Sequence, residues 1–330
     1  MQNIPNPLIT VILFAYNQEK FIREAINSVL KQTYQPLEII ISDDASSDNT
    51  WQLIQEMVRN YEGKHIVITN RNDKNLGVNN HVNLLNRMAR GEIIVAAAGD
   101  DISAPERVSK IQKKFKQGYA GVYSNAVKIT ESGNSIGMFL PEKRPVYSDW
   151  REMVLNGRHM AIGCTFSWCK RVVEIFGEIP DNVLGEDAVI PFRCALLGGV
   201  GYINEGLVKY REHESNLSFW SKRKKADKHE RTRIEIDRVI FWERIFGNWI
   251  EDMYLALKTG LVKEHEYNTY CDFLGKNIRS REIQENAIAT NSASVVMAII
   301  EQIKLARVCP AIKNTIYRNI KETIKIKVGF

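Results

Sequence analysis

Glu92-Ile-Ile-Val-Ala-Ala-Ala98-Gly99-Asp100-Asp101 is a short apolar run that ends in a pair of acids. An earlier stretch has the same design, with Leu37-Glu-Ile-Ile-Ile-Ser42 leading into Asp43-Asp44. Near-continuous apolar runs of this length, bounded by turn residues, are those of strands buried on both faces of a parallel sheet. Ligands of open α/β sheets bind beyond the carboxyl ends of such strands. Two carboxylate pairs placed there suit a ligand that needs acceptors for its hydrogen-bond donors and a hard cation for its phosphates. A nucleotide has both needs.

Outward from these runs the chain alternates strand and helix. Ile9–Ala15 reads as a strand turning at Tyr16-Asn17, and Phe21, Ile22, Ala25, Ile26, Val29 and Leu30 form a helical apolar stripe. Ser46-Ser-Asp48 supplies cap chemistry for a helix through Trp51, Ile54 and Val58. A third strand, His65–Thr69, leads into Asn70-Arg71 and the loop Asn75-Leu-Gly77, and a helix around Val82–Ala89 returns the chain to the strand ending at Asp100. This rhythm predicts a doubly wound α/β sheet. Further strands are expected at Ala120–Ala126 and Gly199–Ile203, with a helix opening at Gly185-Glu186-Asp187. After Ser218 the sequence becomes charged and helical with few glycines, so a boundary is placed near Asn216.

The 330 residues suffice for one large or two modest domains, and the net charge of +6 is mild. Five scattered cysteines form no CxxC pair, which points to a reducing compartment and away from zinc. The N-terminus lacks the basic and apolar regions of a signal peptide. No apolar run reaches the roughly 20 residues that span a bilayer. A cytoplasmic location, on or off a membrane surface, is the expectation. Basic residues gather at Lys222-Arg-Lys-Lys225, and after Pro310 the residues Ile312, Ile316, Ile320 and Ile324 recur beside Lys313, Arg318, Lys321 and Lys325. That pattern is an amphipathic basic helix, read either as docking on its own domain or as attachment to anionic lipid. No groove-reading motif or stacking platform accompanies the charge, so nucleic acid is not an expected partner.

One order of short motifs carries a resemblance. It runs Val11–Asn17, Ser28–Thr33, Asp43-Asp44-Ala-Ser46-Ser-Asp48-Asn-Thr50, Asn75-Leu-Gly77, Gly91-Glu92, Asp100-Asp101, Glu186-Asp187 and Tyr210-Arg-Glu-His213. In this order the chain, over roughly residues 8–218, resembles the family 2 glycosyltransferases. The resemblance implies a GT-A-like mixed sheet with a Rossmann-like nucleotide-binding half over 1–216, followed by a helical extension over 217–330. It also implies inversion at the sugar carbon and Mn2+ or Mg2+ as cofactor.

The same resemblance assigns roles. Asp44 accepts a hydrogen bond from the base, as a base buried in a cleft requires. Ala15, Tyr16, Asn17 and Arg71 line the nucleotide site. The usual Asp-x-Asp-Asp motif aligns with Ala98-Gly99-Asp100-Asp101, so alanine stands where the family's first acid makes its ribose or water-mediated contact. Asp100 is the expected metal ligand, with Asp101 and His213 as further ones and Arg211 as a diphosphate contact. One or two protein carboxylates suffice when phosphate and water complete the shell. Asp187 is the expected base that takes the acceptor's proton, while Glu186 orients it or touches the acceptor. Trp168 and Phe166 border the acceptor region, where a ring can stack on a sugar or pack into the core.

The reaction expected is transfer from a UDP-sugar to a glycan or lipid-linked saccharide. One rival is a sugar nucleotidyltransferase, for which Phe14-Ala-Tyr16-Asn17-Gln18 is a poor phosphate loop. The other is a non-catalytic binding subunit, favoured only by Ala98.

Overall fold

The computed structural model describes residues 6–142, 146–157, 162–183, 185–214, 216 and 228–290. Two compact units are present, one of Met1–Asp149, His159–Asp181 and Gly185–His213, the other of Trp150–Arg158, Asn182–Leu184 and Glu214–Phe330. The basic cluster at 222–225, the amphipathic helix after Pro310 and His159 lie outside the described residues.

The first unit alternates β1 (Ile9–Ala15), α1 (Ile22–Leu30), β2 (Leu37–Asp43), α2 (Thr50–Arg59), β3 (Ile66–Arg71), α3 (Gly77–Met88) and β4 (Ile93–Ala98). There follow β5 (Ile102–Ser103), α4 (Arg107–Phe115), β6 (Gly121–Ile129) and β7 (Ser135–Met138). After α5 (Trp150–Asn156) of the second unit come β8 (Phe166–Cys169), α6 (Arg171–Phe176), α7 (Glu186–Leu197) and β9 (Val200–Arg211). The second unit adds α8 (Lys228–Lys258) and α9 (Glu264–Thr290). Within it Trp150 meets the Tyr270 ring edge-on at 4.8 Å, and Arg151 Nε donates to Glu266 at 3.0 Å.

The sheet has the order β3-β2-β1-β4-β8-β6-β9-β5, with β7 hairpinned onto β6. β3, β2, β1 and β4 are mutually parallel, β8 is antiparallel to both β4 and β6, and β9 runs parallel to β6. The order reverses at β1, which has β2 on one side and β4 on the other. A crevice opens at such a switch point, beyond the carboxyl ends of the strands. Two successive antiparallel pairings turn β9 back to the direction of β4, so the end of β9 at Arg211 reaches the same edge as Asp100.

The apolar runs account for this placement. Every residue of β2 is buried, and its side chains pack with those of β1, β4, α1 and α4 in one core. The edge strand β3 is only half-buried. At Gly91 a Cβ would stand 2.5 Å from the Thr10 nitrogen, so the chain enters β4 only through glycine. Gln32 sutures the layers, donating to the Ala104 carbonyl at 2.7 Å while its own Oε1 accepts from Val108 N–H at 3.0 Å.

Glu38 is the polar exception in β2 and is fully buried. Desolvation, the largest single influence, pushes its pKa up, but the Arg90 N–H, the Thr10 hydroxyl and the Arg90 guanidinium together outweigh it and leave the pKa lowered. A lowered folded pKa means a contribution present above the ordinary carboxylate range and lost as pH falls through the folded value. Glu38→Leu leaves the Thr10 hydroxyl and the Arg90 N–H unpartnered, and is expected to cost about 2–4 kcal/mol in urea unfolding at pH 7. The difference from wild type should shrink in acid.

Candidate functional site at the carboxyl edge of the sheet

At the ends of β1 and β2 two turns are stitched together. Asn17 and Ala45 both take left-handed backbone, with φ of 52° and 59°. Ala45 gains nothing locally from that conformation, which costs about 1–2 kcal/mol. The turn holds through Asn17 N–H to Ser46 Oγ at 2.8 Å, Ser47 N–H to Asn17 Oδ1 at 2.9 Å and Ser46 N–H to Asp43 Oδ2 at 3.1 Å. Strain of this kind persists at ligand sites, where the surroundings over-determine it. Ala15 is buried, Tyr16 is exposed, and Arg71 pairs through Nε with Asp43 Oδ2 at 3.3 Å. The Asp43 Oδ1 atom is buried without a hydrogen-bond partner.

Asp44 holds the following loop. Its Oδ1 accepts from Asn72 Nδ2 at 2.7 Å and from Leu76 N–H at 2.9 Å, and its Oδ2 accepts from Gly77 N–H at 3.1 Å. An ionised carboxylate offers about four acceptor positions. One therefore remains, on Oδ2.

A second cluster gathers where β4 and β9 end. Asp100 Oδ2 accepts from Gln18 Nε2 at 3.2 Å and faces His213 Nε2 at 2.9 Å. Among the described residues no hydrogen bond falls on Asp100 Oδ1. A carboxylate oxygen left open beside an imidazole suits Mg2+ or Mn2+, which take one or two protein ligands and fill their shell with phosphate and water. Among the described residues there is no group of three or more His, Cys, Asp or Glu side chains placed to hold a metal ion.

Two expected ligand contacts are corrected here. Asp101 is buried, accepts Arg211 N–H on Oδ1 at 2.9 Å and also bonds the Cys164 thiol, so it faces the protein and not a metal. Burial first and the Asp100 charge second push its pKa up to about 7. Arg211 is likewise buried. Its Nε donates to the Asp100 carbonyl at 3.0 Å, its Nη1 to the Glu131 carbonyl at 2.7 Å, and its Nη2 to Glu24 at 3.2 Å. It braces the backbone of the metal-ligand candidate from inside the fold.

Asp187 stands in the first turn of α7 after Gly185, whose φ is 99°. The turn Gly163–Thr165 lies against it, so close that a Cβ on Gly163 would fall 2.4 Å from Glu186 Oε1 and 3.6 Å from Asp187 Cβ. The next residue, Cys164, bonds Asp101 through its thiol and Arg107 through its carbonyl at 2.7 Å. Two consecutive residues thus join the start of α7 to the acids after β4. Arg107 is buried, its pKa lowered to about 10 chiefly by desolvation, and it also donates to the Ala96 carbonyl at 2.8 Å.

Glu186 has its pKa pushed up to about 8, first by desolvation and then by the charge of Asp187. A protonated Glu186 removes a like charge from beside Asp187. A raised folded pKa gives a contribution that is full below the ordinary value and is lost as pH rises through about 8. The apparent Tm of wild type is expected to fall over that window, and Glu186→Gln to flatten the fall.

Trp168 and Phe166 are corrected toward packing. Both are buried in β8, and Trp168 Nε1 donates to Asn86 Oδ1 at 3.1 Å. Sequence reading missed Gln18, Cys164, Arg107, and the polar group around His81. Nothing in their spacing marks them, because each is defined by what lies across the fold.

With this geometry in place, comparison with known proteins finds the profile of Glycosyl transferase family 2 matching residues 10–174. The chain is 28% identical over 217 residues to chondroitin synthase of Escherichia coli, covering 64% of this chain and 30% of the relative. It is 35% identical over 104 residues to the putative glycosyltransferase EpsE of Bacillus subtilis, covering 32% and 37% of the two chains. The matches thus span about a third of the length of these curated relatives. Among solved structures, S. aureus TarS in complex with UDP-GlcNAc superposes with a TM-score of 0.55 at 15% identity, covering 96% of this chain and 91% of that one. The mannosyltransferase PcManGT of Pyrobaculum calidifontis, in complex with GDP-Man and Mn2+, gives 0.54 at 15% identity, covering 98% and 87%. At such identity these two likenesses establish the GT-A fold and nothing finer.

Proposed function

This chain belongs to glycosyl transferase family 2, and we propose that it is a metal-dependent, inverting transferase acting between a nucleoside-diphosphate sugar and the hydroxyl of a glycan or lipid-linked saccharide. A UDP-sugar is the favoured donor, and the bacterial cytoplasm or the inner face of its membrane the favoured place. The observation that carries the reading is the link through Gly163-Cys164 from the start of α7, where Asp187 stands, to Asp101, the chain neighbour of Asp100. It supports reading the acids after β4 and the start of α7 as parts of one site. UDP-GlcNAc bound to TarS and GDP-Man with Mn2+ bound to PcManGT support the donor class. Chondroitin synthase among the relatives supports a glycan acceptor.

In this mechanism Asp44 takes the base through the remaining position on Oδ2, with Tyr16, Asn17 and Arg71 around it. Asp100 and His213 would hold a divalent cation, which when bound offsets the charge of the departing diphosphate. Asp187 accepts the proton of the acceptor hydroxyl as its oxygen attacks the anomeric carbon. The bond from that carbon to the diphosphate breaks with its electron pair leaving on phosphate, and the configuration inverts.

The test is hydrolysis and binding of UDP- and GDP-sugars with and without Mn2+. Metal-dependent binding of one donor with slow turnover is the expected result. No binding of any nucleotide would remove the transferase reading and leave a partner-binding subunit, for which the alanine at position 98 is the supporting feature.

A further inference from the structure

Behind Asp44, side chains from β2, from α3 and from the end of β3 and the residue after it form a chain of hydrogen bonds that comes back to Asp44 through a longer polar contact. Asn72 Nδ2 donates to Asp44 Oδ1 at 2.7 Å, and Asn72 Oδ1 accepts from Asn70 Nδ2 at 2.9 Å. Asn70 Nδ2 also donates to Ser42 Oγ at 2.9 Å, and Ser42 Oγ stands 2.6 Å from His81 Nε2. His81 Nδ1 returns to Asp44, 4.0 Å from Oδ2. Ser42, Asn72, His81 and Asp44 are all buried.

The directions of the two amide bonds follow one from the other. The Asn72 amide must turn its NH2 to the carboxylate, so its oxygen faces Asn70, which must then donate. Asn70 spends its second hydrogen on Ser42 Oγ. The Ser42 hydroxyl has one proton, and His81 Nε2, 2.6 Å away, is the side-chain acceptor that the described residues offer it. Nε2 is then unprotonated, and the ring proton of a neutral imidazole sits on Nδ1, toward Asp44. Desolvation, opposed by the charges of Asp44 and Asp43, lowers the His81 pKa, in keeping with a neutral ring.

We propose that His81 is a positioning residue for donor recognition, its Nδ1–H held by the Ser42 bond toward the one Asp44 oxygen that keeps an open acceptor position. The inference rests on the reading of Asp44 as the base acceptor. At 4.0 Å the Nδ1–H polarises Oδ2 without occupying that position. The Asn72, Leu76 and Gly77 donors fix where the carboxylate lies, and His81 fixes the field at its free lone pair. No other imidazole or cation among the residues of this hydrogen-bond chain faces Oδ2.

Two near-isosteres separate the two nitrogens. Asparagine places an N–H donor where Nδ1 stands and loses the acceptor for Ser42. Glutamine keeps an acceptor where Nε2 stands and loses the donor toward Asp44. With the full chain and Mn2+, the affinity for UDP (or for GDP, should that be the nucleotide wild type binds) is measured by calorimetry beside Tm. His81→Asn is expected to bind within about threefold of wild type, and His81→Gln and His81→Leu about tenfold more weakly. The Tm order should be the opposite for the first two, with His81→Gln nearer to wild type. Affinity that instead follows Tm through the three variants would reduce His81 to packing and overturn the proposal. Wild-type affinity in all three, with Asp44→Asn weakened, would overturn it too. Wild-type affinity in Asp44→Asn would remove the Asp44 reading on which it stands.

Discussion

Asp187→Asn is expected to lower kcat by about 100-fold to 10,000-fold, the range supplied by a positioned general base, with nucleotide affinity unchanged. Asparagine keeps the shape of the side chain and its place in the first turn of α7 but accepts no proton at neutral pH. The acceptor hydroxyl must then lose its proton to water, and only the attack step suffers. Glu186→Gln next to it is the control, since a group already protonated over most of the working range loses little when made neutral. Steady-state kinetics with a saturating donor, beside calorimetry with the nucleotide, separate the two readouts. Equal losses in the two variants would make the pair a cap for α7 and leave the base unassigned. A kcat for Asp187→Asn within a few-fold of wild type would move the base elsewhere.

The strands that lead to these acids are legible in the sequence because burial on both faces writes itself as unbroken apolar residues. β1, β2 and β4 fall within the runs that predict them. β9 is expected only as far as Ile203 yet runs to Arg211, and its pairing with β6 shifts register around Asn125. Its second half includes Glu205, Gly206 and Lys209, which hide the strand from any count of apolar residues. β8 shows the reverse case. Phe166 and Trp168 read as able either to stack on a sugar ring or to pack, and a four-residue strand between β4 and β6 buries both.

The site follows the same division. Asp44, Asp100 and Asp187 stand at strand ends or a helix start, positions that sequence pattern can locate. Whether a charged side chain at such a place faces outward is decided across the fold. Asp101 and Arg211 point inward because each completes the other's surroundings, the carboxylate taking the Arg211 N–H while the guanidinium takes the Asp100 carbonyl. His81, a lone histidine on the asparagine-rich helix α3, carries no signal until Ser42 and Asn70 stand beside it in the fold.

The contrast between neighbouring acids makes Asp100→Asn the second decisive substitution. It is expected to reduce kcat with Mn2+ by about 100-fold to 1,000-fold, comparable to removing one group that stabilises developing charge, and to abolish the Mn2+ dependence of nucleotide binding. The amide is isosteric and can still bond Gln18 and His213, so Tm should move little. Asp101→Asn should do the opposite. Its carboxylate is buried against Arg211 N–H and the Cys164 thiol, and an amide there must turn one N–H toward a donor, so stability falls while Mn2+ affinity, read by calorimetry or electron paramagnetic resonance, persists. His213→Ala should weaken Mn2+ binding less than Asp100→Asn, since a carboxylate is the stronger partner for a hard cation. If Asp101→Asn were the variant that lost Mn2+, the cation would belong to the inner acid, and the Arg211 and Cys164 contacts would have to open for it to bind. If neither lost it, the cation would be held by other groups at this edge, and neither Asp100 nor Asp101 would be its ligand.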